Sequence, residues 1–83
     1  MIYMHMMKIK LHKDAKKYLS RLPQKSAARI LRAIGGLPKG DVSPLKERHP
    51  KMRLRIGDWR VIFEFLGDTI YVLEIGNRGD VYK

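Results

Sequence analysis

Lys51, Arg53, Arg55 and Arg60 crowd four cations into one ten-residue stretch, and three of them alternate with apolar residues in the run KMRLRI. In an extended strand that alternation sends all three to one side. Guanidinium groups hold phosphate oxygens through a planar fork of donors and stay charged at any physiological pH. Further on, Arg78 has Gly76 and Gly79 close on either side, which permits a sharp bend and the near approach of a ligand. Tyr82 follows, a phenol able to stack on a base or move a proton, or else an aromatic that packs at the end of the last strand. Such a set can cut RNA without a metal ion. The RNA supplies its own nucleophile, the 2′-OH. The protein has only to bend the backbone into line, stabilise the added charge on phosphorus and move two protons. Arginine donors serve the second task. For the third, lysine and tyrosine start from reference pKa values of about 10, and a packed cationic cluster favours the less positive form of each.

Other chemistries lack their residues. There is no Gly-rich phosphate loop ending in Lys-Ser/Thr, no HExxH and no pair of CxxC motifs. His5, His12 and His49 fall in separate parts of the chain, and Ser20, Ser26 and Ser43 have no nucleophile-elbow context. Of the eight acids, only Glu64 and Glu74 are expected to share a face with the cations. Neither a dedicated metal site nor a cofactor is expected.

Periodicity gives the elements that must carry these residues. Residues 6–11, MMKIKL, alternate apolar and basic and predict a short strand with Ile9 and Leu11 inward. From about His12 the period lengthens. Ala15, Tyr18, Leu19 and Leu22 make one helical stripe, which Pro23 ends. Ala27, Ile30, Leu31 and Ile34 repeat the stripe, and Gly35-Gly36 is expected to form a left-handed C-terminal cap. Residues 37–50, LPKGDVSPLKERHP, hold three prolines and a glycine and predict a loop pinned by Leu45 and Val42. Strands are predicted over 51–56, 59–66 and 69–76, with turns at Gly57-Asp58 and Gly67-Asp68. The expected fold is α+β, βααβββ, a two-helix hairpin packed on one face of a small, mainly antiparallel four-stranded sheet. Residues 1–83 are expected to form a single domain, with 1–6 as a disordered extension because Met4, Met6 and Met7 offer alternative starts.

Register then sorts the side chains. A two-residue turn at Gly57-Asp58 pairs Ile56 with Trp59, Arg55 with Arg60, Leu54 with Val61 and Arg53 with Ile62. Met52, Leu54, Ile56, Trp59, Val61, Phe63 and Phe65 then face the helices. Lys51, Arg53, Arg55, Arg60, Ile62 and Glu64 take the other face, with Glu64 opposite Lys51. A solvated sheet face is ordinarily charged. Cations placed directly opposite one another are unfavourable, however, and four of them on two strands point to a phosphate-binding surface. For the second hairpin, a two-residue turn would push Glu74 into the core. A three-residue loop over 66–68 is expected instead, pairing Phe63 with Tyr71, Val61 with Leu73 and Trp59 with Ile75. It also sets Glu74 opposite Arg60, which it would orient.

Eighteen Lys and Arg against eight Asp and Glu give these 83 residues a formal charge of +10. Self-repulsion on that scale implies a polyanionic partner, with nucleic acid ahead of an anionic membrane or an acidic protein. No run approaches the roughly 20 apolar residues of a membrane helix. The absence of cysteine fits a reducing cytoplasm, the expected location.

RLRIGDWRVIFEF at 53–65 and IGNRGDVYK at 75–83 resemble the hallmark strands and tail of RelE-type toxins in the RelE/ParE toxin superfamily. MKIKLHKDAKKYLSRLPQKSAARIL resembles their first strand and helical hairpin. The resemblance covers the chain from Met7 onward. It implies a type II toxin–antitoxin system toxin, an endoribonuclease (mRNA interferase) that cuts mRNA on the ribosome and is neutralised by a cognate acidic antitoxin in a hetero-oligomer. By position it implies that Lys51 and Arg53 bind the backbone or assist proton transfer, and that Arg60 and Arg78 stabilise charge at the scissile phosphate. Tyr82 would stack on or deprotonate the nucleotide. Apart from the resemblance, Arg55 on the cationic face and Lys83 are expected to bind RNA. Asn77 stands where many relatives carry histidine. Two other readings remain: a ParE-like gyrase poison, and a non-catalytic basic nucleic-acid-binding module.

Overall fold

The computed structural model describes residues 8–48 and 50–77, apart from the side chain of Glu47. The expected extension at 1–6, together with His5 and His49, lies outside the described residues. The elements run β1 (Lys8–Leu11), α1 (Lys13–Ser20), α2 (Gln24–Gly35), β2 (Asp41–Pro44), a 3-10 turn (Lys46–Arg48), β3 (Met52–Ile56), β4 (Trp59–Leu66) and β5 (Thr69–Asn77). The α+β class and the helix-on-sheet arrangement are as expected, but the sheet has five strands, in the order β1-β5-β4-β3-β2. β1 runs parallel to β5, and every other neighbour is antiparallel.

The extra strand, β2, comes from the stretch read as a loop. Asp41–Pro44 pairs with Met52–Arg55, and Val42 packs against the core while Asp41 and Ser43 sit across from Arg55 and Arg53. Proline is tolerated there because β2 is an edge strand, where one side of the backbone needs no ladder partner.

Both helices start where the sequence allows. His12 is extended and caps α1 by accepting from the Asp14 N–H at 3.2 Å. Pro23 is extended and opens α2. Ala15, Leu19, Ile30 and Ile34 from the predicted stripes are buried against Leu54, Ile56, Val61, Phe63, Ile70, Val72 and Ile75 of the sheet. Leu31 departs from expectation. It is 45% exposed, because Ile30 and Ile34 already define the direction facing the sheet and position 31 falls on the flank. Leu31→Lys is therefore expected to change unfolding free energy by no more than about 0.5 kcal/mol in a urea melt. Ile9 also departs. It pairs with Ile70 but is 38% exposed, since β1 is an edge strand with a neighbour on one side only. The expected left-handed cap is absent too: Gly36 has φ −88°, and α2 tightens into N–H bonds from Gly36 to Ala33 O and from Leu37 to Ile34 O, both 3.1 Å.

The first hairpin has the expected register, Ile56 to Trp59 through Arg53 to Ile62. The second does not. Its turn is the two-residue Gly67-Asp68, with Leu66 paired to Thr69 and Phe63 to Val72. In both turns only the glycine takes positive φ, 58° at Gly57 and 63° at Gly67. That is the pattern of a turn with Gly at its first central position, whose twist suits a hairpin. The extra residue lies within β5, where an irregularity between Ile62 and Phe63 leaves Leu73 unmatched. A bulge of this kind shifts alternation by one. It returns Ile75 to the core opposite Val61 and puts Glu74 on the open face opposite Ile62.

Candidate functional site

On the face away from the helices, side chains line up in rows across the strands. One row runs Asp41, Arg55, Arg60, Gly76, and the next runs Ser43, Arg53, Ile62, Glu74. A third, nearer the β4–β5 turn, runs Glu64, Tyr71, Lys10. Arg53, Arg55 and Arg60 thus converge on one surface, and Ile62 is fully buried among them. Lys51 precedes β3 and is half-buried. A closed turn holds its backbone: the Lys51 N–H donates to Arg48 O at 2.8 Å, and its carbonyl accepts from Leu45 N–H at 3.0 Å. The β3–β4 ladder stops at Met52 and Phe63, so the expected Lys51–Glu64 pair is not part of it.

The cations differ in what occupies them. Arg55 donates from Nε to Asp41 Oδ2 at 2.8 Å in a half-exposed ion pair. Arg53 donates from Nη2 to Ser43 Oγ, while its Nε is buried with no hydrogen-bond partner among the described residues. Arg60 is only 8% exposed, the one charged residue in the buried class among those described. Its Nη1 donates to the carbonyls of Gly57 at 3.3 Å and Trp59 at 3.2 Å. Among the described residues, neither Arg53 nor Arg60 is ion-paired to a carboxylate. A buried guanidinium anchored through one nitrogen keeps its remaining donors in a fixed plane. Gly76, its neighbour on β5, adds no side chain beside it.

Glu74 does not orient Arg60, contrary to expectation. The bulge at Leu73 places it one row away, where its Oε2 accepts from Arg48 Nη2 at 2.8 Å. Three contributors were missed: Asp41 and Ser43, which tie down Arg55 and Arg53, and Arg48, which neutralises Glu74. Alternation within DVSP was the available signal for the first two. Nothing local in the sequence links Arg48 to Glu74. Arg78, Tyr82 and Lys83 lie outside the described residues. No group of three or more His, Cys, Asp or Glu placed to hold a metal ion occurs among the described residues. No helix among them is long and apolar enough to cross a membrane.

A family model described as "ParE toxin of type II toxin-antitoxin system, parDE" matches residues 9–82. No curated protein matches. Among solved structures, the chain is similar to one in the RelB–RelE antitoxin–toxin complex from Methanococcus jannaschii. The two are 27% identical with a TM-score of 0.71, over 88% of this chain and 94% of that one. It is also similar to a chain of the archaeal RelE–RelB complex from Pyrococcus horikoshii OT3, at 29% identity and TM-score 0.70, over 90% and 98% of the two chains. A chain of the chromosomal ParDE system from P. aeruginosa shares the fold at 16% identity and TM-score 0.57, over 90% and 99%.

Proposed function

This chain belongs to the ParE toxin family of type II toxin–antitoxin systems, within the RelE/ParE superfamily, and from that premise we propose that it is a metal-independent endoribonuclease that cuts mRNA on the ribosome. The observation that carries this reading is Arg60, buried, anchored to two backbone carbonyls and free of any ion-paired carboxylate among the described residues. A guanidinium held that way is preorganised for charge that develops in a transition state. Arg53, one row away on the same face, donates from Nη2 to the neutral Ser43 hydroxyl and is likewise without an ion-paired carboxylate among the described residues. These groups suit the dianionic phosphorane formed when the 2′-oxygen adds to a phosphodiester, and they repel a metal ion. Similarity near 30% to chains from two RelE–RelB complexes supports the nuclease branch.

In the proposed reaction the RNA 2′-oxygen attacks the adjacent phosphorus as the 5′-oxygen of the next nucleotide leaves, giving a 2′,3′-cyclic phosphate and a free 5′-OH. One proton leaves the 2′-OH and one reaches the departing 5′-oxygen. Arg60 and Arg53 hold the non-bridging oxygens. Lys51, at the edge of the same face, and Tyr82 are the proton-moving groups, and Arg78 is a third charge-stabilising arginine. Arg55 and Lys83 contact the flanking backbone.

The matching family model is described as a ParE toxin, which keeps one other reading in play, the ParE-like gyrase poison. Purified protein added to translating ribosomes, followed by mapping of mRNA ends, separates the two. Cut messages are expected. Intact messages together with trapped gyrase–DNA complexes would place the chain in the gyrase branch.

The partner proposed is an acidic antitoxin. A formal charge of +10 and a small core both gain from it.

A further inference from the structure

Beyond Val72, where pairing with β1 ends, β5 runs beside α1 with a cleft of about 390 Å³ between them. Asp14, Lys17, Tyr18 and Arg21 line one wall, and Glu74 and Gly76 line the other. The first four recur at i, i+3, i+4 and i+7, so a single stripe of α1 faces the opening. Gly76 is also the cross-strand neighbour of Arg60. The cleft therefore begins where the row containing Arg60 ends.

Its contents are mixed in a particular way. Tyr18 is half-buried and packs against the core, which fixes its ring. Lys17 and Arg21 are exposed cations and Asp14 an exposed carboxylate. Glu74 gives Oε2 to Arg48 and retains Oε1 as an acceptor. A site for phosphate alone has no use for two carboxylates or an aromatic wall. A nucleotide uses all three: a ring to stack on, cations for its phosphate and acceptors for base N–H groups. The volume falls within the range of roughly 300–1,000 Å³ typical of small-molecule sites.

We infer that this cleft is a nucleoside subsite, holding the nucleotide next to the scissile phosphate and favouring bases with an exocyclic amine. Tyr18 stacks on the base, Lys17 and Arg21 take the adjoining phosphate, and Asp14 and Glu74 accept from the amine. Uracil has no such amine, and its one N–H lies between two carbonyls that repel a carboxylate. This inference rests on the nuclease reading and adds a specificity determinant to it.

The test uses ribosomes programmed with messages that differ only in the bases flanking a mapped cut, incubated with the full-length protein. With the wild-type chain, uracil at one flanking position is expected to lower kcat/KM on the order of tenfold. Tyr18→Ala is expected to lower kcat/KM for the favoured messages by a similar factor and to flatten the base profile, and Tyr18→Phe to restore both. Asp14→Ala, at an exposed position where folding is not at stake, should flatten the profile without a comparable loss for uracil messages. Cutting by all three variants with the wild-type base profile would overturn the subsite and leave the nuclease standing. Messages left intact by the wild-type protein would remove both.

Discussion

On the proposed nuclease reading, Arg60→Ala will lower the rate of mRNA cleavage by roughly 10²–10³-fold, the usual cost of deleting one preorganised donor at developing charge. Arg60→Lys should recover little of it. Lysine brings a point charge on a flexible stem, whereas the position holds a planar fork pinned by the carbonyls of Gly57 and Trp59. The side chain is buried, so a thermal melt must accompany the rate measurement. A folded Arg60→Lys protein that cuts at the wild-type rate would show that the fork has no part in the reaction.

The largest effect on stability is expected at Phe63. It is a fully buried side chain on β4, the middle strand, with Val72 and Met52 across from it and the Phe65 ring edge-on at 5.4 Å. Truncation of a buried phenylalanine to alanine costs about 3–5 kcal/mol, a large part of the roughly 5–15 kcal/mol that holds an ordinary domain together. For a chain this short, Phe63→Ala should lower Tm by roughly 12–40 °C, measured by circular dichroism on the protein without a partner. A fall of only a few degrees would mean that the core is not centred on β4.

The β3–β4 hairpin was legible because two independent signals agreed. Gly57-Asp58 specified a short turn, and apolar alternation on both flanks chose the same buried face. The β4–β5 hairpin carried a conflict, since a two-residue turn seemed to force Glu74 inward. Reading the extra residue into the turn resolved the conflict in the wrong place. The sheet accommodates it at Leu73, and no local signal distinguishes a mid-strand bulge from a longer loop. β2 was hidden for a different reason. Its four residues lie between Gly40 and the Pro44 that ends it, so breaker composition outweighed an alternation too short to register. That omission had a chemical consequence. The face looked richer in free cations than it is, because Asp41 on β2 pairs with Arg55. Arg53 and Arg60 were placed correctly on one surface by alternation alone. Burial of Arg60 was not foreseeable, because it depends on carbonyls exposed at the neighbouring turn.

The parallel pairing of β1 with β5 joins Lys8 to Thr69, the first described residue of the chain to a strand near the other end. Contacts so far apart along the sequence slow folding, since a long loop must close before they form. α1 also packs on β5. During synthesis, then, much of the surface that β1 and α1 dock against is absent until β5 has emerged. The row that contains Arg60 likewise stays incomplete until Gly76 arrives. Whatever this face binds must therefore wait for β5.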